Sequence, residues 1–255
     1  MKHLIAFLLF GVLLFSCTKD AEIAADGPAG QSGSVTRFAI QGNYMYVLNM
    51  NEVQTYDITN RDQPRLVHRL STDYGLETIV IHEGTAFLGS TTSLYLLDIT
   101  THPEAPGIIS TTNRVELLGF SSCDPVVVKG DYAYSTIKVI ANVCGSIGAE
   151  SALLIYDISD QSRPILVDQR QMNIPNGLGY KDNYLMVCDE GTDAVEVFDI
   201  TDPHSLVDTE IFIPVTDPQD LIIAGNRMIV SVPTSFYLFD IQDVKNVKQL
   251  AVISR

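Results

Sequence analysis

One short stretch, Leu154-Ile155-Tyr156-Asp157-Ile158-Ser159, is written five times along this chain, and no other feature restricts the fold as much. The other copies are Thr55-Tyr56-Asp57-Ile58-Thr59, Leu96-Leu97-Asp98-Ile99-Thr100, Val197-Phe198-Asp199-Ile200-Thr201 and Leu238-Phe239-Asp240-Ile241-Gln242. Their aspartates stand 41, 59, 42 and 41 residues apart. A fixed period near 41 with one lengthened copy marks a repeat architecture, in which each unit buries its apolar surface only by stacking on its neighbours.

Each copy opens with an apolar run that ends at a turn, as in Phe38-Ala39-Ile40-Gln41-Gly42, Val126-Val127-Val128-Lys129-Gly130 and Leu221-Ile222-Ile223-Ala224-Gly225. A second run follows at once, as in Tyr44 to Leu48 and Arg227 to Ser231. Two β-rich runs joined by Gly-Asn, Gly-Asp or Asp-Asn form a tight hairpin, and glycine recurs there because the turn needs a positive φ. The aspartate stretch is the third run. The fourth follows a turn closed by Pro64, Pro106 and Pro164 in three copies, with Leu206 and Val247 near that place in the other two. No helical period occurs, and several runs are apolar on both faces, as strands covered above and below must be. Radial repetition of such four-stranded antiparallel sheets predicts an all-β, five-bladed β-propeller over residues 35–255.

The fullest copy, Tyr156-Asp157-Ile158-Ser159-Asp160 running through Pro164 to Leu166-Val167, resembles the LVIVD repeats of bacterial secreted and lipid-anchored propellers. That resemblance implies the propeller and a cell-envelope address, and it implies no catalytic residues. Five equivalent carboxylates cannot share one active site. Their expected role is to accept main-chain N–H bonds in the turn after the strand. The first copy starts with its own first strand and the last ends with its own fourth, so ring closure is expected to rest on packing of blade five against blade one.

Residues 1–17 stand apart from the repeats. Lys2 precedes an apolar run from Leu4 to Phe15, too short for the ~20 residues of a membrane span but suited to a signal peptide. Its end, Leu14-Phe15-Ser16-Cys17, resembles the lipobox of bacterial lipoproteins, although phenylalanine is an unusual choice before the serine. The resemblance implies lipidation at Cys17, and two or more acyl chains anchor a protein stably. Residues 18–34, rich in Ala, Gly, Ser and acids, read as a flexible tether. The expected address is the cell envelope, on the outer membrane.

Blade three carries the extra length. It places Cys123 in the connection before its first strand and Cys144 between its second and third, two loops on one face of a blade. In an exported chain these cysteines suit a disulfide closing a loop of about 20 residues, worth roughly 3 kcal/mol. Two free thiols or a metal pair is the alternative. The same face collects the entrances to all the first strands: Thr36, Thr78, Asp124, Asn176 with Gly177, and Gln219 with Asp220, with Glu77, Asp189 and Glu190 near the rim. These residues either solvate the face or bind a small ligand. Ca²⁺, which prefers several carboxylate and carbonyl oxygens, is one candidate occupant, and no cofactor is otherwise implied.

A formal net charge of −15 argues against nucleic acid, whose phosphates need a basic patch. The sequence has no Gly-x-Ser-x-Gly elbow, His-Glu-x-x-His, phosphate-binding glycine loop or Cys-x-x-Cys. His68, His82, His102 and His204 follow no ligand spacing. The expected function is therefore a lipid-anchored, extracytoplasmic binding or scaffold module with a protein partner or ligand in the envelope. The competing expectation is a metal-assisted hydrolase or sugar-binding protein that uses acids such as Asp124 and Asp220 at the channel mouth. The absence of tryptophan weighs against sugar platforms, though eleven tyrosines remain.

Overall fold

A computed structural model of the chain describes residues 36–73, 75–90, 93–113, 125–138 and 150–255. The signal and tether segments, Cys17, Cys123, Asp124 and Cys144 lie outside the described residues. Among the described residues twenty strands form five antiparallel sheets of four, each ordered as the chain runs. Blade one is β1 (Phe38–Gln41), β2 (Tyr44–Asn49), β3 (Glu52–Asp57) and β4 (Arg65–Ser71), and blade two is β5 (Leu76–His82), β6 (Thr85–Ser90), β7 (Ser93–Asp98) and β8 (Gly107–Asn113). Blade three is β9 (Val126–Lys129), β10 (Tyr132–Ile137), β11 (Ala152–Asp157) and β12 (Ile165–Gln171). Blade four is β13 (Pro175–Lys181), β14 (Tyr184–Asp189), β15 (Ala194–Asp199) and β16 (Val207–Pro214). Blade five is β17 (Asp220–Ala224), β18 (Arg227–Val232), β19 (Ser235–Asp240) and β20 (Lys248–Ser254), with a 3-10 turn at Val244–Asn246 in place of the proline turn. The fold is a five-bladed β-propeller, as the repeat predicts.

The local chemistry repeats with the blades. At the first hairpin the positive φ falls on Gly42, Gly130 and Gly225, on Glu83 and Gly84 together, and on Asp182 where blade four has no glycine. A β-bulge interrupts the pairing of strands three and four in every blade, at Thr55/Tyr56, Leu96/Leu97, Ile155/Tyr156, Val197/Phe198 and Leu238/Phe239. It lies just before the recurring aspartate and adds local twist. Each aspartate then accepts the N–H two residues on: Thr59 at 2.9 Å, Thr100 at 2.8 Å, Ser159 at 2.9 Å, Thr201 at 2.8 Å and Gln242 at 3.0 Å. These are Asx-turns, and the five carboxylates build turns as expected.

Apolar side chains alternate between two faces of each blade. The forward face meets the next blade along the chain, and the back face meets the previous one. Tyr46, Leu48 and Val53 on the forward face of blade one pack with Ile79, Ile81 and Leu88 on the back face of blade two. The same construction joins blades two and three through Phe87, Leu94 and Val128. It joins three and four through Tyr134, Leu153 and Leu178, and four and five through Met186, Val195 and Ile223. Among the described residues no buried cluster joins blade five to blade one. The expected closure by that contact is therefore corrected: Phe38 and Ile40 of blade one, and Ile222 and Ile229 of blade five, are exposed. A blade buries its end face only where another blade meets it, and these two are not met.

Candidate functional site

The loops entering strands one converge on one end of the barrel of blades, where a cleft of about 420 Å³ opens. That volume falls within the ~300–1,000 Å³ of small-molecule sites. Glu77 and Thr78 reach it from blade two, Pro125 and Lys138 from blade three, Asn176, Gly177 and Glu190 from blade four, and Gln219, Asp220 and Ser231 from blade five. Strand entry brings these residues together because the first strand is innermost in every blade, so its first residues ring the mouth.

Asn176 organises the wall. Its side-chain N–H donates to the Pro218 carbonyl at 3.0 Å, and its main-chain carbonyl accepts the Thr136 hydroxyl at 2.7 Å. Its Oδ1 accepts Lys138 Nζ at 3.3 Å, and its Nδ2 donates to Glu190 Oε2 at 3.3 Å. Lys138 Nζ stands 2.8 Å from the same Glu190 oxygen. The lysine, and then the asparagine amide, hold the Glu190 carboxyl below its usual range, so it is ionised at neutral pH. Blades four and five meet beside it through the Gly177 N–H, which donates to the Gln219 carbonyl at 3.0 Å. A Cβ on Gly177 would lie 2.7 Å from Asp220 Cα, so only glycine lets the two backbones approach this closely.

The structure gathers Glu77, Asn176 and Asp220 at the mouth, as the strand-entry reading expects, and Asp124 lies outside the described residues. Asp189 does not line the cleft. It is fully buried, and its oxygens accept the N–H groups of Asn173 at 2.9 Å, Ile174 at 2.9 Å and Gly191 at 2.8 Å. Its role is to hold the turn that leads Glu190 to the rim. Sequence reasoning overlooked Lys138. The signal was available, because Lys138 and Glu190 are the first residues after the second strands of successive blades.

The cleft thus offers one ammonium, an amide and carboxylates, set among main-chain groups, and among the described residues neither histidine nor thiol lines it. Cys188 is buried nearby as a free thiol, and burial pushes it well above the usual thiol range, so it is inert. Among the described residues no three His, Cys, Asp or Glu side chains gather into a possible metal site.

The LVIVD repeat model matches residues 32–72 and 147–170, and the second match contains Tyr156 to Val167. None of the curated protein sequences matches the chain. Among solved structures, a functionally unknown protein from Desulfotomaculum acetoxidans shares 13% identity at a TM-score of 0.64, over 84% of this chain and 66% of that one. The periplasmic gluconolactonase PpgL of Pseudomonas aeruginosa shares 14% at 0.63, over 84% of this chain and 68% of that one. BamB from Moraxella catarrhalis shares 12% at 0.53, over 86% and 63%. Identities this low show the fold alone. The chain spans about two thirds of the length of these propellers.

Proposed function

We propose that this chain is a lipid-anchored, extracytoplasmic propeller whose mouth binds a small polar ligand, of the hydroxyl-rich kind that sugars exemplify, without transforming it. The observation that carries this reading is the cleft where blades two to five converge, with the Lys138–Glu190–Asn176 cluster as its wall. Its donors and acceptors are interleaved, which suits hydroxyl groups that both give and accept hydrogen bonds. Glu77, Glu190 and Asp220 disfavour a phosphorylated ligand, since like charges repel in a partly enclosed cleft.

The test is a thermal-shift screen with neutral mono- and oligosaccharides, Ca²⁺, Mg²⁺ and Zn²⁺. A ligand at 100 times its dissociation constant stabilises the native state by about 2.7 kcal/mol. A saccharide shift that Asn176→Ala removes supports the reading. A shift with a divalent cation alone favours the metal-assisted hydrolase instead. Because one solved propeller of this fold is named a gluconolactonase, glucono-δ-lactone belongs in the screen as a substrate as well as a ligand, and its turnover would sink the non-catalytic part. The anchor is tested separately: Cys17→Ala moves the chain from the membrane fraction to the soluble one.

A further inference from the structure

The two blade faces left uncovered are the complementary halves of a junction that the chain already builds four times. On the back face, Ile40 occupies the register position of Ile81, Val128 and Ile223, each of which pairs or lies one place before the hairpin turn in the same way. Ile40 is 51% exposed, whereas Ile81 is 7% exposed. On the forward face, Ile229 occupies the position of Tyr46, Phe87, Tyr134 and Met186. Ile229 is 36% exposed, whereas Phe87 is 0% exposed. Phe38 and Ile222 extend the two apolar surfaces, and on blade one the hydrogen-bonded Glu52, Gln54 and Arg69 border the apolar part on the outer strands.

We propose that these faces join copies of this chain, the forward face of blade five in one copy seated on the back face of blade one in another. The occupant follows from the shape of the surfaces. Each internal junction pairs a forward face with a back face, and among the described residues one face of each kind is left unmatched. The size also fits. Four strands about 4.8 Å apart and six residues long, at about 3.3 Å each, give a face of roughly 400 Å². One contact therefore buries roughly 400 Å² per partner, and a ring of two chains, in which both faces of each are engaged, reaches the ~800 Å² per partner of a standard stable interface. The contact is head-to-tail, so it closes into a ring where the rotations allow and otherwise extends. This inference concerns the blade ends and is independent of the ligand proposed for the mouth.

The experiment uses the full-length protein with detergent micelles in excess, analysed by sedimentation velocity at micromolar concentration. The parent sediments as a dimer or larger, and Ile40→Asp or Ile229→Asp each sediments as a monomer with an unchanged circular dichroism spectrum. Both sites are exposed in the single chain, so neither change disturbs its core. A second measurement identifies the contact. In the internal junctions Tyr46 clusters with Ile81, Phe87 with Val128, and Met186 with Ile223, which pairs Ile229 of one copy with Ile40 of another. Copies bearing Ile40→Cys and Ile229→Cys under different tags, mixed and treated with a short thiol crosslinker, yield the mixed-tag product above the parent background. A monomeric parent overturns the proposal, as do charge variants that keep the parent's mass. A double variant that crosslinks within one chain also overturns it, because the ring then closes on itself.

Discussion

Ile40 and Ile81 are the same residue type, one place before the same hairpin end, in adjacent blades, yet one faces solvent and the other lies in the core. The difference comes entirely from what stands behind the blade. A four-stranded sheet this short cannot shield its own faces, so burial in a repeat protein belongs to the junction rather than to the unit. End repeats of open arrays ordinarily carry polar outer faces for solubility. Blade one keeps Phe38 and Ile40, and blade five keeps Ile222 and Ile229, so both ends are built like interior blades. Near the axis the ends differ from the middle in company rather than in composition, while farther out blade one sets Glu52, Gln54 and Arg69 on its uncovered face.

The comparison is broken most directly by truncating both isoleucines. Ile81→Ala removes a core side chain and leaves a cavity, at a cost of about 2–5 kcal/mol. Ile40→Ala, at the exposed counterpart, changes the stability of the isolated chain by no more than about 0.5 kcal/mol. Urea unfolding in dilute solution, where chains are separate, gives both numbers. Equal losses would show that blade one is covered after all.

This contrast also marks where sequence reasoning stops. The five copies, the four strands in each, the hairpin turns and the gathering of strand entries at one mouth all follow from local pattern, because each depends on residues within one repeat. Glu77, Asn176 and Asp220 were legible for that reason. Whether blade five meets blade one depends on the rotation between blades, summed around the ring, and no single residue encodes it. Phe38-Ala39-Ile40 reads like Val126-Val127-Val128, though one is an outer face and the other a core strand. Asp189 misleads in another way: an acid at a strand end suits a rim ligand and an amide-capping turn equally well, and only the placement of Asn173, Ile174 and Gly191 decides. Lys138 escapes a search keyed to acids.

The junctions themselves give a sharper, somewhat smaller test. Gly177 lies where blades four and five approach, and a methyl there meets the Asp220 backbone. Gly177→Ala is expected to cost about 1–3 kcal/mol through overpacking, and to weaken any ligand shift at the mouth. Gly107 starts an outer strand with open space around it, so Gly107→Ala falls within about 0.5 kcal/mol of the parent. Similar effects at the two glycines would mean the mouth can relax without loss, and would remove the argument that close approach shapes the cleft.

The smallest expected effect tests whether the difference between ends and middle stops at the blade faces. The hydroxyl of Thr59 holds Asp57 below the usual carboxylate range, and Thr101, Ser159 and Thr201 do the same for Asp98, Asp157 and Asp199, while the Gln242 N–H does so for Asp240. A folded pKa below the unfolded value of about 3.9 means the unfolded chain takes up its proton first as pH falls. The stabilisation is therefore complete above that value and is lost as pH drops through the folded pKa. These turns are closed chiefly by residues two and three places along the same strand end; the adjoining blades add only the smaller attractions of His204 for Asp157 and of Lys245 and Lys129 for Asp199. Asp57→Asn in blade one and Asp157→Asn in blade three should flatten the acid limb of stability to the same small degree. Urea midpoints followed from pH 5 to pH 2 read that slope. A clearly larger change at Asp157 would mean that neighbouring blades reach the turns as well as the faces, and that an end blade is weakened throughout rather than on one side.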